Sequence, residues 1–281
     1  MAKAGCKRFL FSKIWEGELA VKISGIIISR NNEDKIERAL KSLNGVVDEI
    51  VLIDNGSTDN TIKIAKKYKA RVFEDGGKSY SQWRNRGLKE AKGEWVLYLD
   101  SDEEVTPGLK KEMQSIIDKD TDTDTENYVA YAIPRKNIIL GREMIHGGWW
   151  PDYVKRLFRK DALIKWEGDL HEEPVFNGQI GHLKNPIIHY KHNNLSEMVE
   201  KTNKWSEIEA KLLLESGHPL MSWWRFIRIM LTEAWFRIVV NRAFLDGTEG
   251  IIYAIYQVWS KFISYGKLWE MQKTRINTDS G

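Results

Sequence analysis

The chain has 281 residues, 42% of them hydrophobic and 30% charged, enough apolar material for a sizeable core and unlike a disordered or collagen-like polypeptide. Lys and Arg number 43 against 40 Asp and Glu, so the net charge of +3 is too balanced to make nucleic acid the expected partner. The single cysteine, Cys6, allows no internal disulfide, and no stretch reaches the roughly 18 uncharged apolar residues of a membrane span.

At the amino terminus Lys3, Lys7 and Arg8 precede Phe9-Leu10-Phe11, but Lys13 and Glu16 cut the apolar run short. This does not read as a signal peptide, and a cytoplasmic location is expected. Residues 1–21 read as an extension ahead of a catalytic domain at 22–194, with halves at 22–105 and 128–194, and a helical region follows at 195–281. Ile23–Ser29 is a near-continuous apolar run, the pattern of a buried parallel strand. Ile36, Leu40 and Leu43 mark a helix, Glu49–Asp54 a second strand, and Ile62, Ala65 and Tyr68 a second helix behind the Asn55-Gly56-Ser57-Thr58-Asp59 turn. Arg71-Val72-Phe73 is a short strand, Trp83, Leu88 and Ala91 mark a helix, and Glu94–Asp100 is a fourth strand. The alternation predicts an α/β fold with a parallel sheet, right-handed crossovers and helices on both faces, binding ligands at the carboxyl ends of its strands.

The polar run from Asp118 to Asn127 lacks the glycine of a calcium loop and reads as a solvated surface loop. Tyr128–Pro134, Tyr153–Phe158 and Pro186–Tyr190 read as short strands. From Leu195 the chain looks helical to about Glu270, with breaks near Gly217-His218-Pro219 and Asp246-Gly247. Twelve tryptophans are the compositional outlier, and Trp205, Trp223, Trp224, Trp235, Trp259 and Trp269 fall in this last region.

Asp54 and Asp100 sit at predicted strand ends, where a carboxylate can accept hydrogen bonds from a base or ribose. In Asp100-Ser101-Asp102, residues i and i+2 of an extended segment point the same way, so both carboxylates can converge on a hard divalent cation. The competing reading is a strand that ends in a solvated acidic turn, since Glu103 and Glu104 follow directly.

Taken in order, IIISRNNE, VLIDNGSTDNT and SQWRNRGLKEAKGEWVLYLDSDEE resemble glycosyltransferase family 2, with its GT-A, Rossmann-like, mostly parallel sheet. The resemblance covers residues 22–105 and implies transfer of a sugar from a nucleotide diphosphate donor, UDP-linked, to an acceptor hydroxyl, with inversion. It implies that Asp54 contacts the base, that Arg84 and Asn85 lie near the nucleotide, and that Asp100 with Ser101 lies near the ribose. It further implies that Asp102 holds Mn2+ or Mg2+, and that Ser29, Arg30 and Glu33 line the loop after the first strand. In the second half, Gly147-Gly148, His171-Glu172 and His189 follow the family's order of glycine-rich loop, acidic motif and metal-binding histidine. WWPDYVKRLFRK through WEGDLHEEP is similar to bacterial lipopolysaccharide-core β-glucosyltransferases.

Glu172 is then the expected general base, with Asp169 and Glu173 as alternatives. His189 is the expected second metal ligand, with His192 as its substitute, and Arg156 and Arg159 are candidates for pairing with the diphosphate. In the tail, Trp224, Ile227, Leu231, Trp235 and Ile238 share one helical face, while Arg225, Arg228, Arg237 and Arg242 lie around it. With Trp223, this composition reads as an interfacial helix that attaches the protein peripherally to the cytoplasmic membrane face, where a lipid-linked or lipopolysaccharide-type acceptor would lie. Two other readings stay open: a nucleotidyltransferase, against which the absence of glycine in Ser29-Arg30-Asn31-Asn32 counts, and an inactive membrane adaptor.

Overall fold

A computed structural model describes residues 21–77, 79–119, 128–168 and 172–279. Cys6 and the basic amino-terminal residues, positions 120–127 of the acidic run, and Asp169 and His171 lie outside the described residues. The first half follows the predicted order: β1 (Ile23–Ser29), α1 (Ile36–Leu43), β2 (Glu49–Asp54), α2 (Thr61–Lys67), β3 (Arg71–Glu74), α3 (Tyr80–Glu90) and β4 (Trp95–Asp100). These strands lie in the spatial order β3-β2-β1-β4, and every pairing among them is parallel.

Because successive side chains of a strand point to opposite faces, the apolar content divides into two layers. Ile27, Leu52, Leu97 and Leu99 pack with Leu40, Leu43 and Ala65 of α1 and α2. Ile26, Val51, Ile53 and Tyr98 pack with Trp83 of α3 on the other side. Burial on both faces is why these strands read as unbroken apolar runs. A Cβ at Gly87 would run into the Ile26 side chain, so the close seat of α3 on β1 accounts for a residue of poor helix propensity in mid-helix.

Beyond β4 the chain is more elaborate than expected. Glu103–Val105 form β5 instead of a solvated turn, and Pro107–Lys119 form α4. There follow β6 (Tyr128–Ile139), β7 (Arg142–Met144), β8 (Asp152–Arg159), β9 (Leu163–Glu167), β10 (Glu173–Phe176), β11 (Gln179–His182) and β12 (Ile187–His192). β8 is antiparallel to both β4 and β6, β12 is parallel to β6, and β5 turns back to pair antiparallel with β12, all within one ten-stranded sheet. The β9-β10 hairpin stands apart and lays Leu163 and Trp166 over Tyr98 and Phe158 on the α3 face.

The remaining chain forms α5 (Leu195–Glu215), α6 (Trp223–Ala234) with a π-helical continuation at Trp235–Val240, a 3-10 turn at Ala243–Asp246, and α7 (Gly247–Asp279). The predicted breaks fall where Gly217 and Gly247 adopt positive φ angles of 73° and 72°. Ala210 of α5 meets Leu268 of α7, and Lys261 and Ser264 of α7 both bond Glu209 of α5. This helical unit docks on the sheet through Met198 and Tyr253 against Ile139 and Met144. The backbone N–H groups of Ile145 and His146 donate to Asp246 Oδ2 and anchor it further. Among the described residues no helix is long and apolar enough to cross a membrane.

His192 lies in that docking interface, beside Tyr253 and Tyr256 of α7. Burial first, then Lys201 and Lys191, pushes it down to about 3, with Glu197 opposing and His189 adding a little. A histidine with a depressed folded value leaves the unfolded chain to bind the proton first, so stability is full above about pH 6.5 and declines as pH falls toward 3. Between pH 7 and 5 the urea midpoint of the wild type is therefore expected to fall further than that of His192→Gln. Equal falls would show that His192 does not carry the linkage.

Candidate active site

A cavity of about 650 Å³ opens at the carboxyl ends of β1 and β4. Ser29 and Arg30 line it from the end of β1, Tyr80, Trp83 and Arg84 from α3, and Asp100, Ser101 and Asp102 from the end of β4. Arg135, Glu172, His189, Lys191, Lys201 and Trp205 also line the cavity.

The return of the chain through β5 brings Asp102 to His189. β5 pairs with β12 so that Glu103 stands opposite His189, and the Tyr190 N–H donates to the Asp102 carbonyl at 2.9 Å. His189 Nε2 lies 3.6 Å from Asp102 Oδ1. Asn137 donates its amide to Asp152 Oδ2 at 2.9 Å, which leaves Asn137 Oδ1 to accept from His189 Nδ1 at 2.8 Å. With the proton on Nδ1, the Nε2 lone pair faces a carboxylate oxygen, an arrangement that calls for a cation between them. Burial alone would raise Asp102; when the imidazole also carries a proton on Nε2, its hydrogen bond and charge outweigh burial and hold the carboxyl below its ordinary range, and a divalent cation would take the place of that proton.

Among the described residues no group of three or more His, Cys, Asp or Glu side chains gathers as a ligand cluster. Asp102 and His189 supply two donors, which suits Mg2+ or Mn2+ drawing its other ligands from water and substrate phosphates.

Beneath the cavity floor runs a continuous chain of charges. Arg84 bonds Glu172 Oε1 at 3.1 Å and Asp100 Oδ1 at 3.3 Å. Arg156 pairs with Asp100 and also bonds Glu103 Oε1 at 2.8 Å. Glu103 is fully buried; its Oε2 accepts the Asp100 N–H at 3.0 Å, and Arg135 links it to Asp152. The solvated acidic turn considered above does not form, because Glu103 is the shared counter-ion of two arginines. Burial would raise Asp100, yet Arg156 and Arg84 hold it well below the carboxylate range, and Asp100 and Glu103 in turn raise Arg156.

The expected site residues divide. Ser29, Arg30, Arg84, Asp100, Ser101, Asp102, Glu172 and His189 line the cavity together. Asp54 is buried at the end of β2 and does not itself line the cavity; its Oδ2 accepts the Ser57 N–H at 2.8 Å, while Oδ1 has no partner among the described residues. Glu172 Oε2 has no partner among the described residues, whereas Glu173 turns outward to Lys155 at 2.7 Å.

Other residues lie elsewhere. Asn85, about 100° around α3 from Arg84, clasps the Trp166 backbone, and Glu33 bonds Asn60 ahead of α2. Gly147 and Gly148, at φ of 69° and 86°, turn against Ala243 and Asn241 at the helical unit, away from the cavity. Arg156 acts from beneath the floor, Arg159 pairs with Asp161 on the surface, and His192 is in the docking interface. Sequence reasoning passed over Glu103, Arg135, Lys191, Lys201 and Trp205. Of these, Glu103 had a signal in its place directly behind the D-x-D pair.

Residues 24–173, more than half of the chain, match Glycosyl transferase family 2. The chain belongs to this family. Over 271 residues the glycosyltransferase is 28% identical to an uncharacterized glycosyltransferase of Rickettsia conorii, covering 90% of this chain and 91% of the relative. It is 24% identical over 277 residues to the lipopolysaccharide core biosynthesis glycosyltransferase LpsC of Rhizobium meliloti, covering 92% and 96% of the two chains. A crystal structure of S. aureus TarS (residues 1–349) in complex with UDP-GlcNAc aligns with a TM-score of 0.44 at 17% identity, covering 92% of each chain.

In this glycosyltransferase the buried charge chain is the part most exposed to a single deletion. Glu103→Ala leaves Arg156 and Arg135 short of a counter-ion and the Asp100 N–H without its acceptor. It is expected to cost about 3 kcal/mol in denaturant titration and to weaken UDP binding through the loosened Asp100. A loss under about 1 kcal/mol would show that the network is solvated and not structural.

Proposed function

We propose that this enzyme is an inverting, metal-dependent glycosyltransferase that moves glucose from UDP-glucose to a hydroxyl of a lipid-linked or lipopolysaccharide-core acceptor at the cytoplasmic membrane face. The observation that carries the reading is the Asp102–His189 pair, a carboxylate oxygen and a ring nitrogen 3.6 Å apart at the cavity wall, with Glu172 held on Arg84. The similarity to LpsC supports the acceptor class.

On this reading the nucleotide lies along the ends of β1, β2 and β4. The unpartnered Asp54 Oδ1 accepts an N–H of the uracil ring, and Asp100, held rigid by two arginines, accepts from the ribose. Asp102 and His189 hold the divalent ion, whose charge, when it is bound, stabilises the departing diphosphate. Glu172 lines the cavity with Oε1 pinned by Arg84, and on this reading Oε2 is the basic oxygen. There it takes the proton of the acceptor hydroxyl as the acceptor oxygen bonds to the anomeric carbon and the bond to the UDP oxygen breaks. One in-line displacement inverts that carbon without a covalent enzyme intermediate.

The membrane contact falls to α6. Phe226 and Ile229 pack inward, while Trp223, Trp224, Leu231 and Trp235 are 73%, 57%, 65% and 63% exposed. Exposed tryptophans beside Arg228 suit the interface of an anionic bilayer.

Two measurements test these roles. Asp102→Ala is expected to abolish metal-dependent UDP binding in calorimetry run with Mn2+ and with EDTA, and unchanged affinity would remove its ligand role. Glu172→Gln should keep UDP affinity but slow UDP release from UDP-glucose by on the order of 10²-fold; near-normal turnover would pass the base to Asp169 or Glu173. For the membrane, the wild type should co-sediment with phosphatidylglycerol vesicles, and replacing Trp223, Trp224 and Leu231 together by Ser should release it. A wild type that stays in the supernatant would end the membrane reading.

A further inference from the structure

The cavity holds more positive charge than its carboxylates use. Arg84 is taken by Asp100 and Glu172, and Arg135 by Glu103 and Asp152. Lys191 has neither an ion pair nor a hydrogen bond among the described residues, and its ammonium sits over the Trp149 ring at 4.2 Å. Among the described residues Lys201 pairs with Glu197 alone, at 3.9 Å, and that carboxylate is already held by Lys35 at 2.8 Å.

Both lysines line the cavity, Lys191 from β12 and Lys201 from α5, close enough for the charge of one to act on the other. Trp205 follows Lys201 by one helical turn and lines the same cavity with 42% of its surface exposed. Two ammonium groups lining one cavity repel, and that cost falls when a ligand brings negative charge to them. Ammonium groups act as point charges and suit a phosphate, whereas planar carboxylates are met best by the arginine fork. An aromatic face beside them offers a platform for the apolar face of a sugar ring.

We propose that Lys191, Lys201 and Trp205 form an acceptor subsite for a phosphorylated sugar, with the phosphate between the two lysines and the ring on Trp205. This rests on the donor reading above, in which the nucleotide lies along the ends of β1, β2 and β4.

The test is calorimetry on the full-length enzyme saturated with UDP and Mg2+, titrated with inorganic phosphate, glucose 6-phosphate, a short-chain prenyl phosphate and glucuronate. Phosphate is expected to bind the UDP-loaded enzyme and to weaken at least tenfold in Lys191→Gln and in Lys201→Gln, with UDP affinity changed less than about twofold. A stronger glucose 6-phosphate signal that depends on Trp205 identifies a phosphate carried on the acceptor sugar. Tighter prenyl phosphate, independent of Trp205, would overturn the sugar seat in favour of a lipid phosphate.

The proposal also falls if phosphate competes with UDP, if the loaded enzyme binds no phosphate, or if glucuronate binds and phosphate does not. Failure of the wild type to bind UDP at all would instead remove the donor reading, and the first titration of the series detects it separately.

Discussion

The cluster of Asp100, Arg156 and Glu103 is the constraint on which the active-site geometry depends. Two carboxylates at the end of one strand repel each other and lose solvation when a sheet closes around them. Arg156, reaching up from β8, resolves this by pairing with both, and Arg84 and Arg135 extend the compensation to Glu172 and Asp152. Such a network adds little net stability over an apolar core of the same volume, because desolvation consumes most of the attraction. Its consequence is positional. Each member leaves an uncompensated charge if it moves, so the cavity floor has one low-energy arrangement and the groups above it inherit that order.

Topology explains why these charges come from distant parts of the sequence. The parallel half delivers Asp54 and Asp100 to one edge, as any doubly wound sheet would. Only the mixed half, with β8 inserted beside β4 and β5 returning to β12, brings Arg156, Arg135 and His189 to the same edge. On the proposed reading the parallel pairings shape the nucleotide side, and the antiparallel ones set the position of the Asp102–His189 pair.

That difference also decides what could be read in advance. β1 to β4 and their helices were legible because burial on both faces leaves continuous apolar runs bounded by turn residues. Asp100, Asp102, Glu172 and His189 were legible through their order along the chain, and all of them line one cavity. β5, β7 and β9 to β11 were not legible, since strands of three to five residues carry too little periodicity to stand out. Glu103 looked like one more acid in a polar turn, because its partners are 32 and 53 residues away. Gly147 and Gly148 matched a motif by order alone; their positive φ angles serve a turn against Asn241 and Ala243 instead.

The helical unit couples the two proposed functions of the second half. α5 places Lys201 and Trp205 in the cavity and bonds through Glu209 to Lys261 and Ser264 of α7. α6 packs Phe226 and Ile229 into the same interface while its tryptophans face outward. The exposed tryptophan surface of α6 and a surface that lines the cavity thus belong to one packed body, itself pinned to the sheet by Asp246 and Tyr253. On the proposed reading, seating α6 in a headgroup layer holds the acceptor wall at a constant height above the bilayer. An acceptor anchored in that bilayer would then enter the cavity from the side of Trp205 and not past the nucleotide. On that reading the helical unit passes the height of the bilayer to the part of the cavity lining that carries Lys201 and Trp205.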